Sequence, residues 1–242
     1  LSNILGTFNL LESSLNYYKK IDPEKQKKFK FIHISTDEVF GSLPQNGFFN
    51  ENTKYDPRSP YSASKASSDH LVKAWFHTYG IPVIMTNCSN NYGPWQFPEK
   101  LIPLVVNNAL NNKRIPIYGD GSNIRDWLYV EDHIDALLLS SNRGKLGESY
   151  CIGGNEAITN IKLVKIICSI LDEMNPKNYL NKDLINFVVD RPGHDKKYSI
   201  NTAKINLELG WENKINLKNG LRKTIEWYFK NQDWLRRKNK IN

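Results

Sequence analysis

Tyr61 and Lys65 stand four residues apart in Tyr-Ser-Ala-Ser-Lys, and Ser35-Thr36-Asp37-Glu38 precedes them just past an apolar run. Positions four apart share a helix face, so the Lys65 ammonium is expected beside the Tyr61 phenol, favouring its ionised form. A group that ordinarily titrates near ~10 would then serve as a base closer to neutral pH. The run from Phe29 to Ile34 reads as a buried strand. The residues just past that strand emerge at the carboxyl edge of a parallel sheet, where doubly wound folds hold ligands. Thr36, Asp37 and Glu38 are thereby delivered to a cleft. A hydroxyl, two adjacent carboxylates and an activated tyrosine suit the movement of protons and a hydride on a polyol.

The elements that must position these groups follow from periodicity. Ile4, Leu5, Phe8, Leu11 and Leu15 recur at three- and four-residue steps, which predicts a first helix. The lysine-rich stretch from Lys19 to Lys30 reads as a solvated loop, and Gly41 to Pro57, rich in Gly, Asn and Pro, as a second loop. A helix is expected from Ser59 or Pro60 to about Tyr79, packing through Ala63, Ala66, Leu71, Ala74 and Trp75. Ile81 to Asn87 reads as another buried strand, and the polar run Cys88 to Pro94 again falls at the ligand edge, with a turn built on side-chain amides as the alternative.

From Phe97 the pattern changes to short strands and helices separated by turns, as in a smaller lobe. Glu99, Lys100 and Leu101 open a helix to 111, and a helix start with a lysine can meet phosphate or nucleobase oxygens. Ile115-Pro116-Ile117-Tyr118 is a short strand whose Tyr118 either stacks on a base or packs in the core. Arg125 precedes a strand leading into a helix at 131–142. Its guanidinium suits a diphosphate through paired hydrogen bonds, or else a salt bridge to Asp126. Asn160 is at home as the cap of a helix at 160–173. A strand at 185–189 delivers Asp190-Arg191-Pro192-Gly193-His194, a turn presenting Arg191 and His194 as a nucleotide clamp. Helices at 202–209 and 217–229 cover the lobe, and Arg236 to Lys240 reads as a solvated tail.

Tyr61-x-x-x-Lys65 preceded by Thr36, together with Ser35-Thr-Asp-Glu-Val-Phe-Gly41, resembles the extended short-chain dehydrogenase/reductases, and among them the dehydratases of nucleotide sugars. The resemblance runs on through 60–70, 86–94, 97–103, 124–133 and 190–194, and so covers nearly the whole chain. It implies an α/β fold: a doubly wound Rossmann-type parallel sheet with a smaller α/β substrate lobe. Residues 1–95 would belong to the NAD-binding domain and 96–242 mainly to the sugar-nucleotide lobe, with 124–153 returning to the first. It also implies NAD as cofactor, held by Tyr61, Lys65 and Asn91. The substrate would be dTDP-glucose, met by Thr36, Asn90, Glu99, Lys100, Leu101, Pro116, Tyr118, Arg125, Asn160, Arg191 and His194. The segment 41–57 would close over the sugar. A homodimer pairing through helices at 1–19 and 59–79 is implied as well.

Under that resemblance each group has a step. Tyr61, with Lys65 and Thr36, takes the carbon 4 hydroxyl proton as hydride leaves to NAD; Glu38 takes the carbon 5 proton, now acidified by the ketone; Asp37 protonates the departing carbon 6 hydroxyl. Adjacency alone says that two carboxylates this close differ in pKa. An epimerase or decarboxylase of the same superfamily needs the Tyr and Lys but not the acid and base for water loss, and a binding remnant needs neither.

Composition bounds the rest. With 242 residues, 40% hydrophobic and 24% charged, the chain can bury a sizeable core. The net charge of +8 is scattered along the chain rather than banked, which argues against nucleic acid as the partner. Cys88, Cys151 and Cys168 are odd in number and set in apolar runs, so they read as reduced core residues of a cytoplasmic protein rather than disulfide or metal ligands. No stretch reaches the roughly 20 apolar residues of a membrane-spanning helix. None of the 14 glycines falls in G-x-G-x-x-G spacing. A Rossmann-type domain opens on a strand and such a turn. The expectation is therefore an incomplete sheet with its first strands missing, on the order of 90 residues of a βαβαβ half, and weak or absent NAD binding by the 242-residue chain.

Overall fold

The computed structural model describes the backbone of residues 1–44 and 46–239 and side chains as far as Leu235. Two helices, α1 (Ile4–Tyr18) and the single-turn α2 (Pro23–Gln26), lead to strand β1 (Phe31–Thr36). A 3-10 turn at Asp37–Phe40 and a long loop then precede α3 (Pro60–Tyr79), β2 (Val83–Cys88) and β3 (Asn90–Tyr92). Next come α4 (Leu101–Leu110), β4 (Ile115–Tyr118), β5 (Ile124–Tyr129), α5 (Val130–Arg143), β6 (Ser149–Ile152), β7 (Ala157–Thr159) and α6 (Asn160–Met174). The chain closes with β8 (Ile185–Val188), α7 (Ala203–Leu209), α8 (Leu217–Lys230) and α9 (Gln232–Asn239).

β1, β2 and β6 form a parallel sheet in that order, in a register that sets Thr36 beside Cys88 and Cys88 beside Ile152. The three strands therefore end at one edge. β2 is buried along its whole length, as a strand covered on both faces must be. Leu11 and Leu15 of α1 and Val72 of α3 pack with Val83 and Met85 on one side. Ala136 of α5, Ile205 and Leu209 of α7 and Trp211 pack with Ile84, Tyr150 and Ile152 on the other. Helices on both faces of a parallel sheet make this an α/β doubly wound fold. A further core joins α4, α6 and α8 through Ile102, Val105, Leu163, Ile167, Leu221 and Ile225. Beside it, β3 runs parallel to β5, β5 antiparallel to β7, and β4 parallel to β8.

α3 shows why its ends lie where they do. Ser59 and Ser62 cap each other reciprocally, Pro60 fills the first turn, and Gly80 takes a left-handed φ of 68° to stop the helix. Its inner face departs from the expected one: Ala63 and Ala74 are exposed, while Ser62, Ala66, Ser68, Asp69 and Val72 are buried. Polar residues go inward there because each finds a partner, Ser68 Oγ donating to the Asn3 carbonyl and Asp69 accepting from β1.

Other expectations shift locally. Phe29 lies before β1, tilted against the rings of Tyr17 and Tyr18. Ile34 is 47% exposed, because β1 is the outer strand of its sheet and Ile34 points to the face opposite His33 and Ser35. The lysine-rich connection holds one helical turn, capped by Asp22 accepting from Lys25 N. The polar run after β2 contains the short strand β3 rather than only a turn. Helix α4 starts at Leu101, with Lys100 in the capping position. The exposure expected for 236–240 lies outside the described residues.

Candidate active site

Thr36 ends β1 with extended backbone and starts the 3-10 turn that carries Asp37 and Glu38. Its Oγ1 accepts from Glu38 N and donates to Asp37 Oδ1, each at 3.3 Å, and its carbonyl accepts from Asn87 Nδ2 at 3.1 Å. Gly41 closes the turn at φ 86°, where a Cβ would come within 2.6 Å of the Asp56 carbonyl, so only glycine lets the following loop lie this close. The pair of carboxyls is thus set at the carboxyl edge of the sheet by backbone geometry.

The two carboxyls have different surroundings. Asp37 is 2% exposed and its Oδ2 has no hydrogen-bond partner. Burial, then the charges of Glu38 and Asp126, holds it well above its usual 3.8, against a weaker pull from Arg125 and Thr36. Glu38 is also raised by burial, but the cations Arg125, Lys100 and Arg191 favour its charged form, with Asp195 opposing them. A fully buried carboxyl raised well above the usual range beside one whose charged form nearby cations favour suits the division of labour between an acid and a base.

Tyr61 is half-exposed at the start of α3, and its phenol feels Glu38 and Asp37 among its neighbours. Here the sequence expectation fails. The phenol is pushed up to about 12, chiefly by burial and then by Glu38, rather than lowered by Lys65. The reason is geometric: Lys65 Nζ donates to the Ile34 carbonyl at 2.7 Å, so the ammonium is committed to β1.

Arg125 lies within β5, 7% exposed, and forms a different contact from the alternative salt bridge to Asp126. Its guanidinium donates to the carbonyls of Ile124 (2.7 Å) and Asp195 (2.9 Å) and lies 4.3 Å over the Tyr198 ring. Asp126, next along a strand whose side chains alternate, points elsewhere and accepts from Glu156 N at 2.9 Å. Burial lowers the pKa of Arg125, with Tyr198, Asp37 and Glu38 acting to raise it. Asp195 and Tyr198, which organise this arginine, escaped the sequence reading; Asp195 follows directly on the 190–194 turn, and that adjacency was the available signal.

Tyr118 is exposed at the end of β4, with the Arg191 guanidinium 5.2 Å from its ring centre, so it is not a core aromatic. His194 Nδ1 lies 2.7 Å from Asp190 Oδ1 across the same turn. Asn160 is the first residue of α6 rather than its cap, which is Thr159 accepting from Lys162 N. Freed of that task, Asn160 keeps a buried Oδ1 with no partner, as do Asn90 and Asn91. Asn91 Nδ2 donates to Cys88 Sγ and the Ser89 carbonyl. Asn160 N bonds the Asn123 carbonyl, and Asn123 Nδ2 the Asp195 carbonyl, tying α6 to the Arg125 cluster.

Glu99 is exposed, with its ion pair to Lys100 at 3.5 Å. Leu101 is half-buried at the start of α4, and Pro116 sits in β4 opposite Asn186, two residues before Tyr118. No contact draws these three to the carboxyl pair. A cavity of about 440 Å³ bounded by Asn155, Asn201, Asn206 and Trp211 includes none of the candidate residues. Among the described residues, no helix is long and apolar enough to cross a membrane, and no group of His, Cys, Asp and Glu could hold a metal ion.

A family model described as GDP-mannose 4,6 dehydratase matches residues 1–224. dTDP-glucose 4,6-dehydratase of Shigella flexneri is 54% identical over 97% of this chain and 67% of the relative. The crystal structure of dTDP-glucose 4,6-dehydratase from Bacillus anthracis in complex with NAD superimposes with a TM-score of 0.88 at 45% identity, covering 98% of this chain and 70% of that one. dTDP-glucose 4,6-dehydratase from Streptomyces venezuelae, with NAD and TYD bound, gives a TM-score of 0.85 at 40% identity over 96% and 67%.

Proposed function

This chain belongs to the dTDP-glucose 4,6-dehydratase family, and from that premise we propose that it removes water from dTDP-glucose across carbons 5 and 6, with NAD as cofactor, to give dTDP-4-keto-6-deoxyglucose. The observation that carries the reading is the Asp37–Glu38 pair at the carboxyl edge of the sheet, both raised by burial, Asp37 further by its neighbouring carboxylates while Arg125, Lys100 and Arg191 pull Glu38 back, in electrostatic reach of Tyr61. An epimerase needs no such couple.

The residues present fit the nicotinamide end of NAD: the unpartnered Asn91 Oδ1, the half-exposed Tyr61 phenol and the Lys65 ammonium lie near the edge where β1 and β2 end. The chemistry NAD would supply when bound is to take the hydride from carbon 4 and give it back at carbon 6 once water has left, while the proton held by Glu38 returns to carbon 5. Thr36 and Tyr61 receive the proton of the carbon 4 hydroxyl as that carbon becomes a ketone. A phenol raised to about 12 is scarcely ionised near neutral pH, and Lys65, one helical turn along the same face, is assigned to favour the phenolate when substrate and cofactor are bound. The ketone acidifies the carbon 5 hydrogen, which the Glu38 carboxylate removes. Asp37, protonated, gives its proton to the carbon 6 hydroxyl, which departs as water.

Arg125 and Lys100 are assigned to the diphosphate, Tyr118, Arg191 and His194 to the nucleoside end, and Asn90 and Asn160 to further polar contacts through their free amide oxygens. Glu99, Leu101 and Pro116 are assigned as further substrate contacts on the family resemblance alone. Residues 1–95, with 124–153, are assigned to the cofactor-binding part and the remainder mainly to the sugar-nucleotide lobe, except that α7, expected to cover the lobe, packs instead with Trp211 on the second face of the parallel sheet.

Ile4, Leu5 and Phe8 leave an apolar face of α1 exposed next to α3, which supports a homodimer through these helices; Phe8→Glu should then halve the mass seen by analytical ultracentrifugation, and a mass that does not change removes this pairing. Three free, buried cysteines support a cytoplasmic setting, and disulfides in protein isolated from its own cells would refute it.

The test is incubation of the protein with dTDP-glucose and NAD, followed by mass spectrometry of the sugar nucleotide. A product lighter by one water supports the reading, and an epimer of unchanged mass contradicts it.

A further inference from the structure

A fully buried carboxyl lies behind the site and takes no part in the proton transfers above. Asp69 is 0% exposed on α3, four residues after Lys65 and eight after Tyr61, so the three share one stripe of the helix. Its Oδ1 lies 2.8 Å from His33 Nε2, and its Oδ2 accepts from Ser35 Oγ at 2.8 Å and from Tyr55 OH at 2.8 Å. His33 and Ser35 flank Ile34 on β1 and point to the same face, and the Ile34 carbonyl is the group that Lys65 holds. The helix therefore grips three successive strand residues, by side chain, carbonyl and side chain. The next residues along the strand and its turn are Thr36, Asp37 and Glu38. Through Tyr55 the same carboxyl also holds the loop that follows Gly41.

We propose that Asp69 is a positioning residue: it fixes the register between the helix that carries Tyr61 and Lys65 and the strand end that carries Thr36, Asp37 and Glu38. Without it, α3 is held to β1 by apolar packing and by the Lys65–Ile34 bond, which hangs on a long flexible side chain and so restrains sliding less than the short bonds to one buried carboxyl do. Proton transfer is sensitive to such sliding, since a misplacement of about 1 Å can cost about 100-fold in rate. The inference rests on the dehydratase reading for its kinetic consequence and on geometry for its structural one.

The test compares wild-type protein with Asp69→Asn and with the double variant Ser35→Ala/Tyr55→Phe, which keeps the carboxyl but removes two of its donors. In thermally folded protein, Asp69→Asn is expected to lower kcat about 100-fold with KM within about threefold, and the double variant to lower kcat about tenfold. A purely structural role would lower the melting temperature and leave kcat per folded molecule unchanged, and that result overturns the proposal. Should Asp69→Asn fail to fold, the double variant decides by the same split. Should wild type show no turnover, NMR of ring-labelled tyrosine decides this proposal. The Tyr61 ring resonances then shift in the double variant as the phenol moves relative to Thr36, Asp37 and Glu38, and unmoved resonances overturn the proposal.

Discussion

The Lys65 ammonium donates to the Ile34 carbonyl at 2.7 Å, one helical turn beyond the phenol it was expected to activate. The phenol of Tyr61 meanwhile answers to burial and to Glu38 and Asp37, all of which raise it. Helical spacing placed the two side chains on one face correctly; the strand beneath them captured the lysine.

Lys65→Met should therefore leave the Tyr61 midpoint of the free protein within about half a unit of its wild-type position, as read by NMR titration of ring-labelled tyrosine. Turnover should still fall by about 10²–10⁴, because the ammonium is required once substrate is present. A Tyr61 midpoint that climbs clearly in the variant would show that Lys65 already acts on the phenol in the free state.

Asp37 makes stability depend on pH with a known sign. Its folded pKa is raised well above the usual 3.8, so the folded protein binds a proton that the unfolded chain has lost. Its contribution is complete below about 3.8 and is lost as pH rises through the raised folded value. Asp37→Asn lacks that loss and should be more stable relative to wild type at pH 8 than at pH 4 in denaturant melts. An equal difference at both pH values would mean that Asp37 is not held protonated.

His133 works in the opposite direction. It is buried in α5 with no partner for Nε2, and burial lowers its pKa from the usual 6.5 to about 4. Below 6.5 the unfolded chain takes a proton that the folded one refuses, so stability falls as pH drops from 6.5 to 4, by on the order of 3 kcal/mol. His133→Leu should remove most of that decline. An unchanged acid slope in the variant would place the lability elsewhere.

Much of this architecture was legible in the chain itself. The helix expected from Ser59 or Pro60 to about Tyr79 and the apolar run of β2 are local patterns, and both elements fall within two residues of the expected bounds. The groups that tune the site were not legible, because each acts across the fold. Asp69 reaches β1, Asp195 and Tyr198 pin Arg125 from a distant turn, and Asp126 raises Asp37 from a neighbouring strand. The Asn160 cap misled for a local reason: Thr159 accepts from Lys162 N one position earlier, and either side chain could serve.

The most direct test of the whole account is the fate of dTDP-glucose on Glu38→Gln, followed by mass spectrometry. If Glu38 removes the carbon 5 proton after Tyr61 has served the oxidation, the variant forms the 4-keto sugar with its carbon 6 hydroxyl retained, and water loss slows by about 10²–10⁴. Loss of water at the wild-type rate would mean that the carboxyl faced by Arg125, Lys100 and Arg191 is not the base.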